Sequence, residues 1–257
     1  MTARIDPSAI SDTLVELTRS LGEPHRDLVI MAEGNTSELV ASGTIAVKAS
    51  GSAMSAAGPD DFVVVDVDPL IAIMRDPSST QDDLSAALTA QADGVVRKAS
   101  IETLVHVAFR AFSDVRFVAH THPTAVVSLL ASVHAPVAFA GPVYTEELLT
   151  LGVPLYVPYA EPGIELGRVV LEAMADYVAQ HARVPSLVLL GNHGIIAASD
   201  TAAGIEAVST MAVKSARVRV GALSAGGIAP IDPERVAHYF QRPDFIERSA
   251  HLSGRRS

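Results

Sequence analysis

Apolar positions along this chain switch repeatedly between a helical spacing and short continuous runs. Ile10, Leu14, Leu17 and Leu21 recur at intervals of three and four, which predicts an amphipathic helix over 7–21. Residues 38–41 and 44–48 read as two brief strands joined at Ser42-Gly43, the pattern of a hairpin turn. The run 62–67 has the character of a buried strand, and helical spacing resumes over 69–75. A polar, Ala-rich stretch at 77–97 supports only a helix near 81–92. From 100 to 112 the spacing is helical again, and a strand over 115–119 runs into His120-Thr121-His122-Pro123. Strands at 153–157, 186–190 and 195–198 then alternate with helices at 164–180 and 201–223. Gly226-Gly227 breaks the last of these, a short helix follows Pro233, and the tail 249–257 is expected to fray.

Helices alternating with strands, without an internal repeat or a linker-like segment, predict one α/β domain over residues 1–257. A central sheet between helical layers follows, a three-layer α/β/α arrangement, and the hairpin signals make that sheet mixed rather than purely parallel.

Composition narrows the chemistry. The chain has 257 residues, 49% of them apolar, with 17 Gly and 15 Pro, which excludes collagen-like and disordered classes. It contains no Cys, so disulfides, iron–sulfur centres and thiolate metal sites are excluded, and any metal must be held by nitrogen or oxygen. A net charge of −10 argues against a nucleic-acid binder, whose affinity comes from neutralising phosphates. The most apolar stretch, 123–142, is interrupted by His134 and Pro136, and the N-terminus has no apolar run. Neither a membrane span nor a signal peptide is expected, and the default is a cytoplasmic protein.

His120-Thr121-His122 is the sharpest chemical signal. Residues i and i+2 of a strand project from one face, so both imidazoles can reach one point, and Pro123 ends the strand at a sheet rim. Two polar residues at a strand end, one packed and one solvated, explain an isolated pair equally well. His193, in Gly191-Asn192-His193-Gly194, interrupts two apolar runs; taken with the first pair, it gives three nitrogen ligands and an open position, as in a catalytic zinc site. An ordinary tight turn is the alternative. Glu102 begins the preceding helix, with Ser100 as its N-cap, and is either a carboxylate aimed at the metal or simply a favourable charge on the helix dipole. His106, four residues on, reads as a packed histidine rather than a further ligand. Gly34-Asn35-Thr36-Ser37 and Ser50-Gly51-Ser52 are loops of small, donor-rich residues able to wrap an anion, and Lys48, one of only three lysines, adjoins the second. Such turns are common, and a lysine at a strand end is as readily just solvated.

In order and rough spacing, these motifs resemble the class II aldolase/adducin family: Gly34-Asn35-Thr36-Ser37, Lys48-Ala49-Ser50-Gly51, Ser100-Ile101-Glu102, His120-Thr121-His122-Pro123 and Asn192-His193-Gly194, over about residues 8 to 225. The resemblance implies a mixed sheet flanked by helices. It implies that His120, His122 and His193 hold one divalent metal, zinc foremost with manganese or cobalt as alternatives. Asn35, Ser50, Gly51 and Ser100 would line a phosphate or equivalent anion site, with Lys48 matching the epimerase form of that loop, and Glu102 would be the acid/base. Homotetramers with active sites at subunit boundaries are common in the family. Three departures stand out. The second serine of the phosphate turn is Ile101, the epimerase branch has Asp where this chain has Glu102, and the tyrosine some members supply from a neighbouring subunit has only Tyr144 and Tyr239 as candidates.

The activity this implies is a metal-dependent aldolase acting on a small hydroxylated carbonyl compound, a sugar phosphate or sugar acid. Decarboxylation of a 3-oxo acid and 4-epimerisation of a sugar phosphate would use the same site. A Schiff-base aldolase using one of the lysines, and an adducin-like scaffold without chemistry, are the readings from other classes.

Overall fold

The computed structural model describes residues 2–245 and 247. The expected tail at 249–257 lies outside them. In chain order the elements are β1 (Ala3–Arg4), α1 (Asp12–Leu21), β2 (Asn35–Ala41), β3 (Thr44–Lys48), β4 (Phe62–Asp66), α2 (Val67–Arg75), α3 (Gln81–Ala87), β5 (Thr89–Ala92), β6 (Val95–Lys98) and α4 (Thr103–Arg110). They continue with β7 (Phe117–Thr121), α5 (Thr124–Leu130), α6 (Thr145–Thr150), β8 (Leu155–Val157), α7 (Ile164–His181), β9 (Leu187–Leu190), β10 (Gly194–Ser199), α8 (Ala202–Ser224) and α9 (Pro233–Phe240).

Eight strands form one sheet in the order β1-β4-β3-β2-β7-β10-β9-β8. All neighbours are antiparallel except β8 and β9, so the sheet is mixed. Alternation along each strand splits the core in two, as the pleat requires. Ala46, Phe62, Phe117, Ala119, Leu189, Ile195 and Ala197 pack with α1, α5 and α8 on one face. Ile45, Val47, Val63 and Val65 pack with α2, α3 and α4 on the other, and there Val118, Val188 and Ile196 meet α4 and α7. This is the three-layer α/β/α arrangement with a mixed sheet that the alternation of elements predicts.

Several boundaries differ from expectation, each for a local reason. α1 starts at Asp12 rather than at Pro7, because Ser11 caps it by accepting a 3.0 Å bond from the Leu14 amide, while Pro7–Ala9 forms a separate 3₁₀ turn. The Gly-Asn-Thr-Ser segment is not a loop: residues 35–37 begin β2, pairing with β7 from Asn35 and with β3 from Ser37. Their polar side chains are satisfied inside the protein, Thr36 against Thr18 and Ser37 against His106. The expected helix near 81–92 ends at Ala87, and 89–98 is a separate hairpin that turns at Asp93-Gly94, both with φ near +50 to +80°.

Candidate metal centre

β7 lies between β2 and β10 in the middle of the sheet, and the site forms where these three strands end beneath the start of α4. Asn35 of β2 and Ile196 of β10 flank His120 in register, so all three side chains share the face that carries α4. His120 is fully buried, and its Nδ1–H donates to the Ile195 carbonyl at 2.9 Å. That bond fixes the ring and turns Nε2 toward the site, as an outer partner does for a metal-binding imidazole. His122 Nε2 faces His120 Nε2 at 2.9 Å. His193, in the turn between β9 and β10, brings its Nε2 to 2.8 Å from Glu102 Oε1, and the same oxygen lies 3.4 Å from His120 Nε2. The three rings stand 4.7 to 5.1 Å apart between centroids.

One ligand atom from each of Glu102, His120, His122 and His193 falls within 4.8 Å of all the others. Three imidazole nitrogens and one carboxylate oxygen are a donor set suited to a borderline divalent ion. The charges agree with that. Burial would raise the Glu102 carboxyl, but His120 and His193 against it outweigh burial and hold it well below the usual carboxylate range. Burial works against a protonated His120, yet Glu102 and the Ile195 carbonyl raise it overall. His122 is pushed down to about 4, by burial first and then by His120. The carboxylate is thus ionised, and the site already favours positive charge at its centre.

Behind these residues stands a fixed polar relay. Asn35 Nδ2 donates to Ser100 Oγ at 3.2 Å and to Glu102 Oε2 at 3.3 Å. Its Oδ1 accepts from Nε2 of the fully buried His106, whose Nδ1 accepts from Ser37 Oγ at 2.8 Å. His106 therefore dictates which way the Asn35 amide faces, and with it the position of Glu102. Burial, then His120, holds the His106 ring down to about 3, so it is neutral and can keep one donor and one acceptor nitrogen. Glu102 itself is the N-cap of α4 rather than its second residue, and Ser100 Oγ accepts the Glu102 amide at 3.3 Å in a turn that precedes the helix.

Two glycines make room for the site. A Cβ on Gly34 would fall 2.6 Å from Val29 Cγ1, 2.8 Å from Met54 Sδ and 2.9 Å from the His120 carbonyl oxygen, at a φ of +71°. A Cβ on Gly194 would meet the Thr121 carbonyl oxygen and lie 2.6 Å from His122 Cδ2. The Asn-His-Gly motif thus combines a histidine with the space its neighbour His122 occupies.

The remaining predicted residues divide. Ser100 joins the Asn35 relay. Ser50 and Gly51 form an exposed turn tied to β6 by a 2.9 Å bond from the Ser50 amide to the Lys98 carbonyl. Lys48 is not brought to the cluster. It pairs with Phe62 and shares the α1/α8 face with Ala46, and its buried ammonium donates to the Ala49 carbonyl at 3.1 Å. Burial lowers its pKa, partly offset by Asp61. Tyr144 donates to Met211 Sδ, and Tyr239 packs on Phe245 in the C-terminal segment. Sequence reasoning missed Glu33, whose Oε2 lies 3.4 Å from His122 Nδ1. Its place directly before the Gly34-Asn35 motif was the available signal.

The chain belongs to the class II aldolase and adducin N-terminal domain family, which matches residues 12–220. Solved structures of the same fold include YgbL from Klebsiella pneumoniae, a candidate aldolase/epimerase/decarboxylase, at 18% identity and TM-score 0.65 over 93% of this chain and 99% of that one. L-fuculose-1-phosphate aldolase from Thermus thermophilus superposes with TM-score 0.60 at 19% identity, over 84% of this chain and 99% of that one. YuxG of Bacillus subtilis, an uncharacterised oxidoreductase, is 29% identical over 158 residues, or 60% of this chain. The match spans only 20% of the length of that relative. Among the described residues no helix is long and apolar enough to cross a membrane.

Proposed function

We propose that the chain is a divalent-metal-dependent aldolase acting on a small hydroxylated carbonyl compound. The observation that carries this is the convergence of Glu102, His120, His122 and His193 within 4.8 Å, behind which His120 and Asn35 are oriented by fixed partners. A divalent ion in this donor set, zinc by preference and manganese or cobalt as alternatives, supplies Lewis acidity that stabilises negative charge developing on a carbonyl oxygen. Glu102 moves the proton at the carbon beside that carbonyl, taking it in the synthetic direction and returning it after cleavage. Asn35 keeps Glu102 Oε2 turned away from His120 and His193, so that the two carboxylate oxygens have separate tasks. Ser50, Gly51 and Ser100 offer donors for an acidic group of the substrate, while both Asn35 amide protons go to Ser100 and Glu102 and hold them in place.

Lys48 lies on the opposite sheet face and a half-buried Ile101 stands between Ser100 and Glu102, which favours a second reading at the same site, decarboxylation of a 3-oxo acid. By family resemblance the assembly is a cytoplasmic homotetramer with sites at subunit boundaries. Exposed apolar residues beside the cluster support a subunit boundary there, Ile30 and Met31 before Glu33 and Tyr159 against Gly191.

The test is a panel of ketose phosphates, sugar acids and 3-oxo acids assayed with zinc, manganese and cobalt. Glu102→Gln is expected to retain metal while turnover falls ~10²–10⁴-fold. Undiminished turnover removes Glu102 from the chemistry, and a protein that takes up no stoichiometric ion removes the metal.

A further inference from the structure

We propose that Glu33 is a positioning residue for the metal centre, acting through the outer nitrogen of His122. This rests on the metal-dependent reading above and adds to it a member that lies outside the donor set.

The two histidines of the β7 end are held differently. His120 is buried and anchored by main chain, its Nδ1 on the Ile195 carbonyl. His122 follows the strand, its ring is about one-fifth exposed, and its Nδ1 faces Glu33 Oε2 at 3.4 Å. With Nδ1 carrying the proton toward that carboxylate, Nε2 presents a lone pair on the side where His120 Nε2 stands. A carboxylate behind an imidazole fixes its tautomer and raises its basicity as a ligand.

The loop before β2 is shaped to deliver that carboxylate. The His122 amide donates to the Leu28 carbonyl at 2.8 Å, which ties the loop to the end of β7. The Glu33 amide donates to the Ile30 carbonyl at 3.0 Å, and Glu33 Oε2 accepts the Ile30 amide at 3.1 Å, closing a tight turn around Met31 in the left-handed region. Gly34 then lets the chain pass beneath His120. The same short loop that admits Asn35 to one side of the centre therefore brings Glu33 to the other.

Charge gives an independent reason. Three neutral imidazoles and Glu102 leave a divalent ion with one uncompensated positive charge. Glu33 stands on the solvent side of His122, opposite the buried Glu102, and supplies the missing negative charge without occupying a coordination position.

The experiment measures zinc affinity of the purified full-length chain by competition with a chromophoric chelator, together with the visible spectrum of the cobalt-loaded protein. Glu33→Ala is expected to weaken zinc ~10–100-fold and to shift the cobalt bands. Glu33→Gln keeps the turn and an acceptor for Nδ1 but not the charge, and falls between the two. Unfolding of Glu33→Gln in the presence of EDTA is expected to match the native chain, because it keeps the turn bond to the Ile30 amide and the His122 contact serves the loaded site. In His122→Ala, which has no imidazole to position, a second change at Glu33 is expected to cost less affinity than it does in the native chain. Native-like affinity in Glu33→Ala, or an equal loss with and without His122, overturns the role of Glu33 while leaving the centre in place. Failure of the unaltered chain to take up zinc overturns both.

Discussion

Gly34 offers a test of how closely the site is built, because the chain contains its own control. Gly34 and Gly43 have nearly the same backbone conformation, with φ of +71° and +69°. A Cβ at Gly43 would meet nothing within 4 Å, whereas at Gly34 it would lie under 3.0 Å from Val29, Met54 and the His120 carbonyl oxygen. The left-handed conformation costs an alanine ~1–2 kcal/mol at either position. The smaller unfolded-state gain from replacing glycine applies to both and cancels in the comparison. Met54 can swing its thioether aside, but the His120 carbonyl belongs to the central strand and cannot move without displacing the imidazole. Overpacking of this kind adds ~1–3 kcal/mol. Gly43→Ala is therefore expected to lose about 1–2 kcal/mol and Gly34→Ala about 2–5 kcal/mol, read from urea unfolding of the two variants in EDTA. Zinc affinity is expected to fall in Gly34→Ala alone, since only there does the strain fall on a proposed ligand. Equal destabilisation of the two variants, or native zinc affinity in Gly34→Ala, would show that Gly34 serves only the turn.

Away from the centre, Arg219 of α8 is buried with Glu147 of α6 on both its Nη atoms, at 2.6 and 3.0 Å, and also donates to the Ala138 and Gly141 carbonyls and to Ser215. Glu147→Ala strands that guanidinium and is expected to cost about 3–5 kcal/mol; a loss under about 1 kcal/mol in urea unfolding would mean water replaces the carboxylate. His106 is held neutral in the fold, its pKa down to about 3 against an unfolded value near 6.5. Between those values the unfolded chain binds the extra proton, so this histidine contributes stability that is full above pH ~6.5 and lost on acidification, with a slope approaching ~1.4 kcal/mol per pH unit. Stability measured from pH 7 to 4 is expected to fall less steeply in His106→Gln than in the native chain, and parallel slopes would refute the assignment.

The histidine pair is legible in the sequence because it depends only on a local rule, that residues two apart in extended chain share a face, and the rule holds although β7 ends at Thr121, one residue before His122. His193 and Glu102 are legible as residue types near glycines and a helix start, but their convergence depends on pairing among β7, β10 and α4. The Gly-Asn-Thr-Ser segment reads as a loop in sequence because its partners are remote. Thr36 meets Thr18 18 positions away, and Asn35 meets Glu102 and His106 at separations of 67 and 71. No local window shows that these polar residues are about to be satisfied internally. The placement of Lys48 is hidden for the complementary reason. Which face of β3 it occupies is set by register against Phe62, and a one-residue slip would have sent it to the other side. The hairpin at 89–98 carries its signal in Asp93-Gly94, which the Ala-rich composition around it obscures.

The graded exposure of the cluster says from where a substrate approaches. His120 is wholly buried, and the side chains of His193 and Glu102 are only slightly exposed. His122 is more open, and Glu33 beyond it is 39% exposed. The ligand set therefore has a closed floor, where His120 is anchored to the Ile195 carbonyl, and a more open side at His122. On the proposed reading a substrate would approach on the His122 and Glu33 side, where the loop carrying exposed Ile30 and Met31 would form one wall of the subunit boundary. On the proposed reading Glu102 would act from the closed side, where Asn35 contacts it directly and His106 orients Asn35. A carboxylate that must take and return one proton is best placed there, because bulk solvent then competes least for the carbanion it serves. The same geometry separates the two glutamates: Glu102 stands on the buried side with His120 and His193, and Glu33 on the more exposed side with His122.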